Sequence, residues 1–204
     1  MKKTFFAVAA ITLLLSATGA FAQVTKGGLG FRTLNGPVNT LSNTGVDFSS
    51  SPAIGIRQWF SESMAVDLAV GFTSLSTEGS PPTTKLDEGT GFVFDLGLPF
   101  VVKKMDKVNF MIRPGFEYGK STAKDVAPGH TPPDELEATL MAVTGEIEVE
   151  YMLTDNLSIS AAHGIAYSQL KVTDNNNPSL ELKLTGFETT GSNFTQLGFH
   201  IYLW

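Results

Sequence analysis

The residues that most often carry catalysis or metal binding are scarce in this chain. It has three histidines, His130, His163 and His200, and no cysteine. Scattered imidazoles without thiolates do not give the ligand spacing of a transition-metal site. A nucleophile needs a base within hydrogen-bond reach, and a His-x-Ser pair at His163 would need serine where the chain has Ile165. We therefore expect no catalytic residue, no metal and no cofactor.

One acidic group is the remaining candidate for cation binding. Asp125, Asp134, Glu135 and Glu137 lie close together in a segment that also contains the turn former Pro132-Pro133. Carboxylates of this kind can bind calcium loosely. A run of acidic residues in a loop is more often a solvated surface, and we expect that here.

A second set of ionisable residues is spaced by even numbers along apolar, alternating segments. Its members are Arg32, Arg57, Asp67, Asp95, Arg113, Glu117, Glu146, Glu148 and Glu150. Even spacing places such residues on one face of their strands. Unpaired burial is costly, so an enclosed set should form ion pairs across the lumen. Examples are pairs of Arg57 or Arg113 with Asp67, Asp95 or Glu117. The alternative is a narrow cation-preferring pore lined by Glu146, Glu148 and Glu150.

The segments that carry these residues have a period of two, which is typical of β-strands. In 64–72 the residues Met64, Val66, Leu68, Val70 and Phe72 alternate with small or acidic ones. The same pattern predicts eight strands, at 26–34, 53–60, 64–72, 92–102, 108–118, 141–151, 157–167 and 194–204. Each is about the length that a tilted membrane-spanning strand needs.

The connections between these strands alternate in length. Short turns are predicted at 61–63, 103–107 and 154–156, and long loops at 35–50, 76–89, 121–137 and 173–192. All long loops therefore fall at one end of the structure, and both chain ends fall at the other. This sorting is typical of outer-membrane barrels, which have short periplasmic turns and longer extracellular loops.

Side-chain size indicates which face lies inside. The bulky apolar face carries Phe, Leu, Ile, Val and Met, and in the first seven strands it has no Lys, Arg, Asp or Glu. The opposite face is rich in Gly, Ala and Ser, for example Gly97, Gly115 and Ala162. A solvent-exposed face has no need of small residues, whereas the inside of a narrow eight-stranded barrel does. We therefore expect the bulky side chains to contact lipid and the charged ones to line the lumen.

The first 22 residues have the features of a secretory signal peptide. Lys2 and Lys3 precede an apolar run, and Ala20-Phe21-Ala22 is a small-x-small cleavage site. A membrane anchor is the alternative, but the run is short for one. Removing 1–22 leaves a 23–204 domain whose net charge changes from −6 to −8. An acidic chain is unsuited to nucleic acid, whose phosphates need a basic surface.

With these features the chain resembles outer-membrane β-barrels of the OmpA/OmpX type over its whole mature length. The resemblance rests on the signal peptide, the eight alternating strands, the turn near 151–157 and the aromatic chain end, Tyr202 and Trp204. It implies an all-β fold, an eight-stranded antiparallel up-and-down transmembrane barrel. It also implies an outer-membrane location in contact with lipid, and a chain end that the barrel-assembly machinery reads.

Three features leave the pattern open. The last strand is apolar on both faces, and the residues that compete with Tyr202 and Trp204 for the lipid side are Leu197, Phe199, Ile201 and Leu203. Pro99 and Pro114 remove backbone donors and predict a bulge or a strand end. The segment 179–187, with Leu180, Leu182 and Leu184 alternating with Glu181 and Lys183, extends strand eight or adds a strand.

We expect a non-enzymatic monomer with a structural or interaction role through its extracellular loops. Two alternatives differ in class. One is a small porin or carrier that passes small solutes, and the other is a soluble periplasmic barrel that binds an apolar ligand.

Overall fold

A computed structural model of the chain describes residues 26–38, 47–78, 85–125, 135–176, 181–190 and 196–203. Within them are ten strands: β1 Lys26–Val38, β2 Asp47–Trp59, β3 Ala65–Glu78, β4 Lys85–Gly97, β5 Phe100–Met105, β6 Val108–Asp125, β7 Glu135–Thr154, β8 Leu157–Asp174, β9 Glu181–Thr190 and β10 Gln196–Tyr202. The predicted signal peptide and Trp204 lie outside the described residues. None of the described residues forms a helix long and apolar enough to cross a membrane.

The strands form one antiparallel sheet that closes on itself. Its order is β10-β1-β2-β3-β4-β6-β7-β8-β9, and β10 pairs with both β1 and β8. Gly28 lies opposite Tyr202 on one side of β10, and Ala162 lies opposite Gln196 on the other. The ten strands occupy eight positions around the barrel. β5 pairs with β6 as a continuation of β4, and β9 and β10 both pair with the same side of β8. The predicted eight-stranded antiparallel barrel is confirmed.

The two prolines that are predicted to cause a bulge or a strand end behave differently. β4 ends at Gly97 and β5 begins at Phe100, so the predicted interruption occurs at Pro99. Pro114 lies within β6, paired with Gly145, and does not interrupt it. Its carbonyl still accepts a hydrogen bond of 2.9 Å from the Leu98 N–H, so the ladder continues past the missing donor.

At the long-loop end the strands run much further than predicted. β6, β7 and β8 have 18, 20 and 18 residues, whereas spanning a bilayer takes about 9–11. The predicted loops 121–137 and 173–192 are therefore partly strand, because the ladder continues to Lys124 opposite Glu135 and Thr173 opposite Glu181. At the opposite end the predicted turn 103–107 is tighter, with β5 reaching Met105 and Asp106 adopting a positive φ of 47°.

The segment 179–187 extends the strand position that β10 occupies beside β8. Its described part belongs to β9, which pairs with β8 from Glu181 opposite Thr173 to Thr190 opposite Gly164. β10 then continues along β8 from Gln196 opposite Ala162. Five residues of the chain thus lie between Thr190 and Gln196, whereas only one residue lies between their partners on β8, Gly164 and Ala162.

Polarity across the barrel wall is inverted relative to a water-soluble protein. Ile147 is 67% exposed on the outside, and Phe72 is 70% exposed. Arg57, Arg113 and Glu148 are at most 2% exposed on the inside. The last strand follows the same rule: Leu197 and Ile201 face outward, and His200 and Tyr202 face the lumen. The structure thus places the bulky apolar side chains outside and the described charged side chains of the barrel centre inside.

The outer surface changes character near the long-loop end. Phe92 packs against Tyr118 with ring centroids 6.0 Å apart, and Tyr167 packs against Phe187 at 5.0 Å. Beyond these rings the outward face carries ion pairs such as Lys120–Glu137 and Lys124–Glu135. Aromatic residues mark the interface of a membrane barrel, so the strands project past that interface.

The inner surface changes in the opposite sense at the same end. Ala138, Leu140 and Leu170 point inward there and are buried, and Leu140 lies opposite Leu170 in the sheet. An apolar inside with a charged outside is the arrangement of a water-exposed barrel. The projecting part therefore has the polarity expected in water, and the part below the aromatic rings has the polarity expected in lipid.

Candidate functional site: the charge cluster in the lumen

Arg57 forms the first centre of the buried charges. It lies on β2 opposite Asp67 of β3, and its guanidinium donates two hydrogen bonds of 2.7 Å to that carboxylate. The same Nη2 reaches across the lumen to both oxygens of Glu148 on β7, each at 2.9 Å. Arg57 thus connects adjacent strands and opposite walls of the barrel at once.

Arg113 forms the second centre, on β6. Its Nε donates to Asp67 at 2.9 Å, and its Nη1 donates to Glu146 at 3.0 Å. Its Nη2 pairs with Asp95 of β4. Asp67 is therefore shared by both guanidinium groups, and the two centres form one connected cluster. A planar guanidinium with five donors suits such a shared arrangement better than an ammonium group.

Glu150 continues the cluster toward the short-turn end. Its Oε1 accepts hydrogen bonds from Ser158 at 2.7 Å and from the Tyr202 hydroxyl at 2.5 Å. Its Oε2 accepts one of 3.2 Å from Asn109. The Trp59 indole N–H in turn donates to the Tyr202 hydroxyl at 3.3 Å. These neutral donors stabilise the carboxylate with little help from Arg57, whose Nη1 is 3.8 Å away.

Most of the residues predicted to line the lumen are brought together. Seven of the nine lie in the connected contacts: Arg57, Asp67, Asp95, Arg113, Glu146, Glu148 and Glu150. Glu117 is also buried, opposite Asp95 in the sheet. Arg32 pairs through its backbone with Gly198 and Ala53, and its side chain is outside the described part of the structure.

Sequence reasoning did not include the neutral partners of Glu150 in this cluster. Ser158, Asn109 and Trp59 join it through hydrogen bonds. Tyr202, which is part of the predicted assembly signal, also joins the cluster, since its side chain is buried in the lumen. The sequence contains an indication of this burial. Gln196, His200 and Tyr202 all have even numbers and therefore lie on one face of the strand, and the first two are polar, as expected of the face toward the lumen. The assembly role of Tyr202 and Trp204 stays a prediction.

Small residues make room for the large charged ones. A Cβ on Gly97 would overlap the Arg113 guanidinium. A Cβ on Gly30 would come within 2.6 Å of the His200 ring, and one on Gly28 within 2.9 Å of the Tyr202 ring. The small-residue face thus has a specific function, because it provides the volume that the ionic side chains fill.

Little space remains within the cluster. A cavity of about 20 Å³ lies among Gly55, Arg57, Asp67 and Arg113, which is room for about one water molecule. Nearer the short turns, Trp59, Ala65, Met111 and Tyr202 form a buried apolar cluster. A larger cavity of about 300 Å³ beside Trp59 and Lys104 opens at that end and is bounded by Glu150 and Tyr202. The described side chains therefore close the lumen at the level of the two arginines.

The electrostatic balance of the cluster is negative. Two guanidinium groups face five carboxylates in the ion pairs of the cluster, and the His200 Nδ1 is 3.6 Å from Glu150. Hydrogen bonds from Ser158, Tyr202 and Asn109 offset part of this excess. Such a cluster can hold opposite walls together, and it opposes the passage of anions.

The other candidate residues are not gathered into a site. His163 faces outward from β8, opposite Ile147 and four residues from Tyr167. His200 faces the lumen, and His130 and Asp134 lie outside the described residues. Glu135 and Glu137 form ion pairs on the outer face with Lys124 and Lys120. Among the described residues no group of three or more His, Asp or Glu side chains could hold a metal ion.

Comparison with known proteins identifies the fold. No protein-family model and no curated protein sequence matches the chain. Among solved structures, Ail, the attachment invasion locus protein of Yersinia pestis, is 13% identical, covering 87% of this chain and 98% of Ail, with a TM-score of 0.50. A major outer membrane protein from Thermus thermophilus is 11% identical over 87% of this chain and 98% of its own, with a TM-score of 0.52. The chain shares the fold of small outer-membrane β-barrels.

Proposed function

We propose that this protein is an integral outer-membrane barrel with a closed lumen, whose role is structural or interactive through the strands and loops that project outside the cell. The observation that carries the proposal is the cluster around Arg57 and Arg113, which joins opposite walls of the barrel. The cavity among Gly55, Arg57, Asp67 and Arg113 has a volume of about 20 Å³.

The outer surface supports a lipid environment. Phe72, Val143, Ile147 and Ile165 are each more than 60% exposed on the wall below the projecting ends. Exposed apolar area on this scale is unfavourable in water. A soluble barrel that bound an apolar ligand would place such residues inside, where this protein has Arg57 and Glu148.

The closed lumen distinguishes this role from that of a small porin. Conduction would require a continuous water path past the arginines, and eight strands leave little interior width. The projecting ends of β6 to β9, by contrast, have the polar outer face of a protein in water. They carry ion pairs such as Lys120–Glu137 and Lys171–Glu181 on that face. These ends are the part of the protein that a partner outside the cell can reach.

Conductance in planar bilayers tests the closed lumen. We expect the purified protein to insert without steady channel activity. The double variant Arg57→Ala with Glu148→Ala, which removes both members of the cross-lumen pair, should conduct, and Lys124→Ala with Glu135→Ala on the outer face should not. Steady ion-selective steps from the unaltered protein would overturn the proposal in favour of a porin.

Cell fractionation tests the location separately. We expect the protein to remain in the outer-membrane fraction after a salt wash and to require detergent for extraction. An unboiled sample should migrate differently from a boiled one on a denaturing gel, because a closed barrel resists unfolding by detergent. Recovery in the soluble periplasmic fraction would contradict a lipid-facing exterior.

A further inference from the structure

β9 has an edge that is unpaired within the described part of the sheet. It pairs with β8 from Glu181 to Thr190 and ends the order of strands on that side. Among the residues that the structure describes, β1 pairs with β10 only at Gly28–Arg32, below β9. The start of β9 is accessible, since Glu181 and Lys183 are exposed, and Leu182 and Leu184 are 54% and 52% exposed. An exposed edge of this kind is a template for another strand.

The residues at this edge complement themselves. When two identical strands pair antiparallel about a central residue, the residues on either side of that centre exchange partners. With Leu182 at the centre, Glu181 of the first copy lies opposite Lys183 of the second. By symmetry, Lys183 of the first copy lies opposite Glu181 of the second. Leu182 lies opposite itself, so an apolar contact is flanked by two opposite-charge pairs. Cross-strand pairs of these types stabilise a sheet.

We propose that two copies of this chain associate through the edges of β9, antiparallel and centred on Leu182. This inference rests on the proposed function, since it identifies a second copy of the chain as one partner of the projecting strands. The sequence predicts a monomer, and the edge of β9 that is unpaired within the described residues is the structural reason for proposing self-association.

The direction of β9 determines which copies can meet. In each copy β9 runs from the outer rim, where Glu181 lies, toward the membrane. Two copies in one membrane would therefore bring their β9 strands together in parallel. Antiparallel pairing requires the copies to face each other from two opposing membranes. The association is thus a contact between cells or vesicles.

The pairing exchanges contacts that already exist within one copy. The Lys183 Nζ is 2.8 Å from Glu181 of its own chain, and Lys171 also contacts Glu181 at 2.7 Å. Each exposed ion pair contributes little. Two facing membranes hold many copies, and multivalency converts weak contacts into stable adhesion.

Charge variants in proteoliposomes test the proposal, with clustering followed by light scattering. Liposomes that carry the unaltered protein should cluster. Glu181→Lys alone and Lys183→Glu alone should each lower the clustering rate by about tenfold or more, because like charges then face each other. Mixing the two single-variant populations should restore clustering, since the opposed charges again differ. Glu135→Lys, an equal charge change on β7, should cluster like the unaltered protein.

A cysteine pair tests the register directly, since the chain has no cysteine. Leu182→Cys should form an intermolecular disulfide under mild oxidation, because directly opposed Cα atoms lie about 4.5–5.5 Å apart. Leu184→Cys has nearly equal exposure on the same face. Its two copies would be about 13 Å apart along the strands, too far for a disulfide, so it should not cross-link.

Each outcome bears on the proposal in one direction. Heat-dependent gel mobility first establishes that every variant is folded and inserted. Three results would each overturn the proposal. Liposomes that carry the unaltered protein could stay dispersed, the two cysteine variants could cross-link equally, or the single charge variants could cluster normally. These results would leave the proposed closed outer-membrane barrel intact, because conductance and fractionation test that barrel without β9 pairing.

Discussion

Arg57 on β2 and Glu148 on β7 meet across the lumen, with Nη2 at 2.9 Å from both carboxylate oxygens. The two residues are 91 positions apart in the chain, and both are at most 2% exposed. In most folds a buried ion pair lies within an apolar core. Here the apolar residues face outward, so ion pairs and their hydrogen bonds fill the centre of the protein.

Loss of the Arg57 guanidinium should destabilise the barrel strongly. Arg57→Ala leaves Asp67 and Glu148 buried without their principal partner, and breaking a buried pair in this way costs about 3–5 kcal/mol. The free energy of unfolding in urea, measured in lipid vesicles, should fall by this amount. Lys124→Ala removes a partner from an exposed pair and should cost at most about 1 kcal/mol. Equal effects of the two substitutions would contradict a structural role for the cluster.

Two glycines distinguish the inside from the outside of the wall. Gly97→Ala introduces a Cβ that overlaps the Arg113 guanidinium, whereas a Cβ on Gly145 meets nothing within 4 Å. Overpacking of this kind typically costs about 1–3 kcal/mol. We expect Gly97→Ala to lower the midpoint of urea unfolding and Gly145→Ala to leave it nearly unchanged. A larger decrease of the unfolding midpoint for Gly145→Ala than for Gly97→Ala would contradict the conclusion that Gly97 faces the lumen and Gly145 faces outward.

The depth of the lipid-facing surface can be measured with one substitution at two positions of β7. Ile147→Arg places a charge in the middle of the outward apolar face, where an arginine costs about 2–4 kcal/mol in a membrane barrel. Leu153→Arg lies beside the short turn at the end of β7, where the cost falls to about 0–1 kcal/mol. Unfolding titrations in vesicles should show this difference, and a neutral Ile147→Arg would argue against lipid contact.

The hydroxyl of Tyr202 should be important for stability. Tyr202→Phe removes the 2.5 Å hydrogen bond to Glu150 and the acceptor of the Trp59 indole. Leaving buried polar groups without partners costs about 1–3 kcal/mol. Unfolding followed by tryptophan fluorescence should show this loss. Tyr151→Phe changes an outward-facing ring and serves as the control, and the hypothesis fails if both variants unfold alike.

The projecting rim should stay ionised in acid. Side-chain hydrogen bonds from Lys171 and Lys183 lower the pKa of Glu181 from its ordinary value of 4.5 to about 2. Because this pKa is depressed in the folded state, the stabilisation is complete above pH 4.5 and is lost as the pH falls through about 2. A ¹³C carboxyl titration should place the midpoint near 2. Lys171→Gln should raise it, and an ordinary midpoint in the unaltered protein would refute the pairing.

The direction of the side chains, outward or inward, could be predicted because it depends on period-two alternation and residue size within each strand. Ile147 and Glu148 are neighbours in the chain, and one is bulky and apolar while the other is charged. The ends of the strands could not be predicted in this way. Beyond Tyr118 and Tyr167 the polarity of the two faces exchanges, so a pattern based on apolar outward residues ends there. Backbone pairing continues regardless, as Lys124 opposite Glu135 shows.

Alternation and residue size along the chain were sufficient to predict the eight-stranded barrel, the inward direction of the charges and the small residues beside them, since these patterns lie within the individual strands. The partners of each charge depended on register and closure. Arg57 and Glu148 come together only when the sheet curls until β7 lies across from β2, and Tyr202 reaches Glu150 only when β10 pairs with both β1 and β8. Side-chain contacts across a lumen join residues that no local period relates, so folding in three dimensions selects them.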